Sequence, residues 1–222
     1  MRYPRGSLWW RWDLHVHSPA SLVQNYGGNT DEAWAQFLRD LEGLPEEFKV
    51  IGINDYIFLE GYERVLTERA NGRLQNIDLV LPVIELRLDK FGGSTHHLSR
   101  VNYHVIFSNE LSVDTIQSQF INALRVEARL NDGDSEPTWS GIPTRESIEH
   151  FGQAIINSVP EAERPRFSDP LLEGFNNINF SLDTIREALK SSYFKNKAVT
   201  AVGKTEWANI CLLYTSPSPR DS

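Results

Sequence analysis

Residues 48–55 read FKVIGIND, an apolar segment that ends on a carboxylate. The apolar run predicts a strand over Phe48–Ile53. Helical patterns lie on both sides of it: Thr30 or Asp31 can cap a helix that runs to about Glu42, and Leu59–Arg69 is predicted as the next helix. Strands that alternate with helices are typical of an α/β protein with a parallel sheet or barrel.

The same alternation continues along the rest of the chain. Further strands are predicted at Arg11–Val16, Ile77–Leu86, Val101–Phe107 and Ala198–Val202. Further helices are predicted after Ser112, from about Thr144 to Ser158, and near Ser181–Ser191. Residues 130–143 are polar and rich in Gly and Pro, which predicts a surface loop, and Pro160, Pro165 and Pro170 predict a second one.

The composition is that of ordinary soluble globular proteins, with 40% hydrophobic and 23% charged residues among 222. At this length we expect one large domain or two small ones. No apolar run approaches the ~20 residues that span a bilayer, and the first residues lack a signal peptide's apolar region, so we expect a cytoplasmic protein with no membrane partner. The net charge of −8 argues against a broad DNA-coating surface but leaves a local nucleic-acid site open.

The end of the sequence differs in character from the rest. Residues 211–221 read CLLYTSPSPRD and look like the translated read-through of a sequencing adapter. We therefore expect one domain over residues 1–210 and an artefactual or disordered tail over 211–222, with a genuine flexible tail as the alternative. On this interpretation the native chain continues past Ile210 and Cys211 is not native, so any metal ligands must be His and carboxylate side chains.

The strongest chemical signal is WDLHVHS, residues 12–18. Side chains alternate along a strand, so His15 and His17 point the same way and both imidazoles can reach one metal ion. The alternative, which is the more common one for an isolated pair, is that one histidine packs and the other caps a turn.

Three more residues of metal-ligand type end or interrupt apolar strands: Asp55, Glu85 and His104. An ionised and unpaired carboxylate is costly in such surroundings, and a divalent metal would compensate for it. Mixed imidazole and carboxylate ligands suit Zn²⁺, Mn²⁺ or Fe²⁺ better than Ca²⁺.

The order of these motifs resembles that of the polymerase and histidinol phosphatase (PHP) superfamily. The motifs are the HxH pair, Asp55 with Gly61 nearby, Glu85 and His104. The longer runs WDLHVHSPAS, INDYIFLEGY, LPVIELRLDKFGG, GFNN and TAVGKTEW resemble the TrlF-type branch, and together they cover residues 1–210. The resemblance implies a distorted (β/α)7 barrel, incomplete at its C-terminal end, with divalent metals at the strand ends and a C-terminal AAA/ABC-like ATPase domain as partner.

Two departures from the family pattern reduce the expected number of metals. Tyr56 stands where most PHP enzymes have a histidine, and Glu206 is the only candidate for the late Asp-x-His motif. We therefore expect a mononuclear or binuclear site, or a degenerate one.

Basic and aromatic side chains give weaker signals. Arg87, Arg100 and Lys204 could bind substrate phosphates, although ordinary surface salt bridges explain them equally well. Trp9, Trp10 and Trp12 could stack nucleic-acid bases but are expected to pack over the first strand.

The functional hypothesis is metal-dependent hydrolysis of a phosphodiester or phosphomonoester. A nucleic acid or nucleotide is favoured as substrate only because the resembled family pairs this domain with an ATPase. His15, His17, Asp55, Glu85 and His104 are the expected catalytic and metal-binding residues, with Glu206 as a further ligand. The alternative is a degenerate, non-catalytic PHP module that regulates or docks the ATPase. A third interpretation is a fragment that is inactive without the remainder of the chain.

Overall fold

The computed structural model describes residues 9–94, 97–129, 137, 139–167 and 169–203. Lys204, Glu206 and the tail over residues 211–222 lie outside the described residues, so the predictions made for them stay predictions. No helix within the described ranges is long and apolar enough to cross a membrane.

The strands are β1 (Arg11–Val16), β2 (Phe48–Asn54), β3 (Leu79–Ser94), β4 (His97–Phe107), β5 (Val126–Ala128), β6 (Trp139–Gly141) and β7 (Ala198–Val202). The helices are α1 (Asp31–Glu42), α2 (Glu60–Ala70), α3 (Val113–Gln119), α4 (Arg145–Ser158), α5 (Pro170–Asn177) and α6 (Leu182–Leu189). Short 3₁₀ segments lie at Ile121–Ala123, Glu161–Arg166 and Ser192–Phe194.

The main sheet is mixed and, in the described part of the chain, has five strands in the order β1-β2-β3-β4-β7. β1 runs parallel to β2 with Val16 opposite Ile53, and β2 runs parallel to β3 with Asn54 opposite Val83. Residues just beyond Val16, Asn54 and Val83 therefore lie at the same level of the sheet. The α/β class is confirmed, while the described residues form no closed barrel and the (β/α)7 architecture stays a prediction.

The chain divides into two compact units, and β3 and β4 contribute residues to both. The first unit contains the described residues up to Glu85, with Val105–Val113 and Lys197–Val199. Its core is formed by the buried faces of α1 and α2 against β2, including Trp34, Phe37 and Ile51. The apolar spacing on α1 produces this face, and Thr30 begins the helix because its side chain accepts a hydrogen bond from the Ala33 N–H.

The second unit contains Leu86–His104, Asp114–Asn196 and the chain from Thr200. Helices α4 and α5 touch backbone to backbone in it, because glycines stand at the contact. A Cβ atom added at Gly152 would lie 1.7 Å from the Pro170 carbonyl oxygen, and one added at Gly174 would lie 2.0 Å from that of Ile148.

The predicted helices and strands agree with the structure over most of their length, but several bounds differ, and β4 begins at His97 instead of Val101. β3 continues past Leu86 because Arg87 and Asp89 exchange backbone hydrogen bonds with Phe180 at 2.9 and 3.0 Å. Pro170 begins α5 instead of interrupting a loop, since proline suits the first turn of a helix and Asp169 caps it. The loop predicted over residues 130–143 is also wrong at Trp139–Gly141, which pairs with β5 as β6.

Candidate metal centre

The candidate ligands lie where the parallel strands end. His15 is on β1 and His17 directly follows it, while Asp55 directly follows β2. Glu85 is two residues beyond Val83, the partner of the last residue of β2. His104 is on β4 and directly precedes Val105–Val113, which belongs to the first unit. The register of β1, β2 and β3 therefore explains why His15, Asp55 and Glu85, far apart in sequence, reach nearly the same level of the sheet.

Three of the predicted ligands converge. One ligand atom from each of His15, Glu85 and His104 lies within 4.8 Å of the other two. The His15 Nε2 is 3.5 Å from the Glu85 Oε2 and 3.1 Å from the His17 Nε2. Two ligands that each lie about 2.0–2.1 Å from a tetrahedral ion are about 3.3 Å apart, and the separation of His15 from Glu85 is close to that value.

The burial of the three ligands also fits a metal. Glu85 and His104 are only 3% and 8% exposed, whereas the side chain of His15 is 49% exposed. A buried carboxylate needs positive charge or hydrogen bonds to offset its lost hydration. The exposed side of His15 leaves the site open to the solvent, which a catalytic site requires.

Neighbouring polar groups orient the ligands. The Asn54 Nδ2 donates a hydrogen bond to the Glu85 Oε2 at 2.7 Å, and Asn54 is fully buried. The Ser21 Oγ lies 3.2 Å from the His17 Nδ1, so the ring is fixed with its Nε2 toward His15. Such partners fix the direction in which a ligand presents its lone pair.

Asp55 lies outside the convergent group, and its carboxylate faces Ser18. Its Oδ1 accepts from the Ser18 N–H at 2.8 Å, and its Oδ2 accepts from the Ser18 hydroxyl at 2.6 Å. Burial raises the pKa of the Asp55 carboxyl to about 6, with the two Ser18 hydrogen bonds opposing that rise and the charge of Glu60 adding to it. In this arrangement Asp55 joins β2 to the segment after β1.

Gly61 makes room for this buried carboxylate. A Cβ atom added there would lie 1.8 Å from the Asp55 Oδ2 and 2.2 Å from the Ser18 Oγ. Helix α2 can therefore begin directly against Asp55 only because residue 61 has no side chain.

Tyr56 adopts a left-handed backbone conformation with φ of 62°. This conformation is costly for a residue with a large side chain. The backbone is held there by two hydrogen bonds: its N–H donates to the Asn54 Oδ1 at 3.3 Å, and its carbonyl accepts from the Glu85 N–H at 2.9 Å. The ring packs against His17 with centroids 4.9 Å apart.

An open cleft of about 610 Å³ lies beside His15 and His17. The described residues that line it come from β1, from the segment after it and from the turn after β2: Asp13, His15, Val16, His17, Val23, Gln24, Asn25, Tyr26 and Tyr56. His15 therefore borders both the convergent group and an open cleft.

Arg87 and Arg100 have structural partners in the second unit. The Arg87 Nη1 donates to the Asn176 Oδ1 and the Arg100 Nη1 donates to the Asn176 carbonyl, both at 2.9 Å. The Arg87 guanidinium also lies 4.6 Å from the centroid of Phe175. Both arginines thus hold the C-terminal turn of α5, where positive charge is favourable.

Trp9 and Trp12 do not pack over the first strand as predicted, whereas Trp10 is half-buried with the Lys49 ammonium 5.7 Å from its ring centroid. Trp9 is 93% exposed and Trp12 is 59% exposed. β1 is an edge strand in the described sheet, so side chains on it have fewer neighbours to pack against.

Sequence reasoning missed four residues that shape the centre: Ser18, Ser21, Asn54 and Tyr56 as a left-handed turn residue. The available signal was their position, since each follows or ends a strand that carries a candidate ligand. The partners of Ser18 and Asn54 could not be predicted, because Asp55 and Glu85 follow or lie on other strands.

Comparison with known proteins adds no relationship: no protein-family model matches the chain, and no curated protein or solved structure matches it either.

Proposed function

We propose that this chain is a metal-dependent phosphoesterase of the PHP type. The observation that carries the proposal is the convergence of His15, Glu85 and His104 within 4.8 Å. Its phosphoester chemistry and the assignment to the TrlF-type branch rest on the sequence motifs. The proposal includes a distorted (β/α)7 barrel of which the five-stranded sheet would be part, an AAA/ABC-like ATPase partner domain and a cytoplasmic location.

The donor set of two imidazoles and a carboxylate suits Zn²⁺, Mn²⁺ or Fe²⁺. When bound, such an ion activates water and offsets the charge that develops on the phosphoryl oxygens. His15, Glu85 and His104 would hold it, and the His17 Nε2 lies beside them at 3.1 Å from that of His15.

The chain's own residues prepare the site for this task. Asn54 orients Glu85, and Ser21 fixes the ring of His17. The turn at Tyr56 binds the Glu85 backbone N–H, which holds the end of β2 against β3. Orientation by groups that are already in place reduces the reorganisation needed when metal and substrate bind.

The test is metal content and hydrolysis in the full chain. The chain is loaded with Mn²⁺, desalted, analysed for metal and assayed with bis(p-nitrophenyl) phosphate. We expect near-stoichiometric metal and measurable hydrolysis, and we expect loss of both in the double variant His15→Ala, His17→Ala. The matched control is His150→Ala, an exposed histidine on α4. Equal metal content in both variants and the unaltered chain would contradict the proposal.

A second candidate function is a degenerate module that regulates or docks the ATPase. The engagement of Asp55 by Ser18 favours it, because this carboxylate is then directed away from the convergent ligands. The same experiment separates the two: a chain that retains neither metal nor hydrolysis fits the degenerate module.

A further inference from the structure

We propose that the cleft beside the metal centre takes a phosphoester with one phosphate and an uncharged, ring-containing organic group of about nucleoside size. This inference rests on the proposed hydrolase function. The cleft volume of about 610 Å³ lies within the range of small-molecule sites. A long polymer would instead need a groove that follows its backbone.

The charge of the cleft argues against further phosphates on the substrate. Among the described lining residues, Asp13 is the one acidic side chain and none is Lys or Arg. The Asp13 Oδ1 accepts a hydrogen bond from the His15 N–H at 3.1 Å, which places the carboxylate next to the centre. A second phosphate would meet this like charge, whereas nucleic-acid sites pair phosphates with basic side chains.

The remaining lining groups suit a planar group with hydrogen-bonding edges. Tyr26 presents a half-buried aromatic ring, the buried ring of Tyr56 packs against His17, and Gln24 and Asn25 carry amides. Tyr26 is fixed by an edge-to-face contact with Phe37, at 5.5 Å between centroids, and its hydroxyl donates to the Asp40 Oδ2 at 3.4 Å. Rings held in this way can stack on a nucleobase or a similar ring at low entropic cost.

The test compares two substrates with the same scissile bond. One is the p-nitrophenyl ester of thymidine 5′-monophosphate, and the other is the p-nitrophenyl ester at the 5′ end of a short oligothymidylate. With the Mn²⁺-loaded chain we expect kcat/KM to be about tenfold higher for the mononucleoside ester, because the added phosphates meet the carboxylate of Asp13 and no Lys or Arg among the described residues of the cleft. An oligonucleotide that is cleaved equally well or better, with activity falling steeply between about 50 and 200 mM salt, would overturn the inference.

Calorimetric titration with thymidylate and with oligothymidylate gives a readout that does not depend on turnover. We expect thymidylate to bind more tightly, and absence of thymidylate binding to a metal-loaded chain would also overturn the inference. Asp13→Lys should raise oligothymidylate affinity about fivefold to tenfold and steepen its salt dependence by about 0.7 per phosphate contacted. The matched control is Asp183→Lys, because the Asp183 side chain is 92% exposed and lies in the second unit.

The two proposals fail in different ways. If the His15→Ala, His17→Ala variant keeps its metal, the hydrolase proposal fails. If metal and hydrolysis depend on these histidines but the oligonucleotide is preferred, only the single-phosphate inference fails.

Discussion

At the scale of single residues, Asp55 combines deep burial with a raised pKa. It is 1% exposed, and both of its oxygens accept hydrogen bonds from Ser18. Its pKa rises from 3.8 to about 6 because burial penalises the charged form more than the two hydrogen bonds favour it.

This shift predicts a pH-dependent stability. Between about pH 4 and 6 the native state binds more protons at Asp55 than the unfolded chain does. The free energy of unfolding therefore falls as the pH rises through this range. A shift of about 2 units corresponds to about 3 kcal/mol. Asp55→Asn imitates the protonated form, so we expect it to be more stable than the unaltered chain at pH 7, by up to that amount, and nearly equal at pH 4.

Urea unfolding at both pH values, with a chelator present, measures this difference. The control variant is Asp183→Asn, which makes the same substitution at an exposed carboxylate in the second unit. A difference for Asp55→Asn that is the same at both pH values would contradict the assignment.

Gly61 gives a second prediction at this scale. In Gly61→Ala the new methyl group would lie 1.8 Å from the Asp55 Oδ2, so α2 or the Ser18–Asp55 pair must move. We expect a loss of about 2–3 kcal/mol in the free energy of unfolding. Gly43→Ala is the control, because Gly43 has φ of −83° and its nearest atom would be at 3.3 Å. Equal unfolding free energies for the two variants would show that the site has room.

At the scale of elements, the contact of α4 with α5 reverses the usual effect of alanine in a helix. Alanine is about 1 kcal/mol more favourable than glycine inside a helix. In Gly152→Ala, however, the methyl group would lie 1.7 Å from the Pro170 carbonyl oxygen. We therefore expect net destabilisation by about 2 kcal/mol or more, with Gln153→Ala, an exposed neighbour, within about 0.5 kcal/mol of the unaltered chain. Thermal unfolding followed by circular dichroism measures both variants, and a stabilised Gly152→Ala would contradict the close contact.

At the scale of the whole molecule, a metal that binds only the folded chain must stabilise it. At an ion concentration of one hundred times Kd the stabilisation is about 2.7 kcal/mol. For a chain of this size that corresponds to a rise in Tm of about 5–10 °C. We expect Mn²⁺ or Zn²⁺ to produce this rise, and a chelator to reverse it.

The shift, not the absolute Tm, is the quantity to compare between variants, because His104 is buried and its replacement also alters packing. His15→Ala and His104→Ala should each remove the metal-dependent rise, while His150→Ala should keep it. A rise that survives in all three variants would place the bound ion elsewhere.

Much of the fold followed from the sequence alone, because the local signals are strong. Apolar runs and helix caps predicted β1, β2, α1 and α4 to within about a residue, and the alternation of strands and helices predicted the α/β class. The candidate ligands were also visible in the sequence as His and carboxylate side chains at the ends of apolar strands, and three of them come together in the fold.

The tertiary structure decided how those elements and ligands combine. The length of β3 depends on pairing with Phe180, which lies far along the chain. Glu85 and Asp55 have different hydrogen-bond partners. Asn54 donates to the Glu85 oxygen that lies near His15, whereas Ser18 donates to Asp55. Strand register and long-range hydrogen bonds bring together residues that no local pattern in the sequence relates. For that reason the sequence determined which candidate ligands the chain carries, and only the folded chain determined which of them come together.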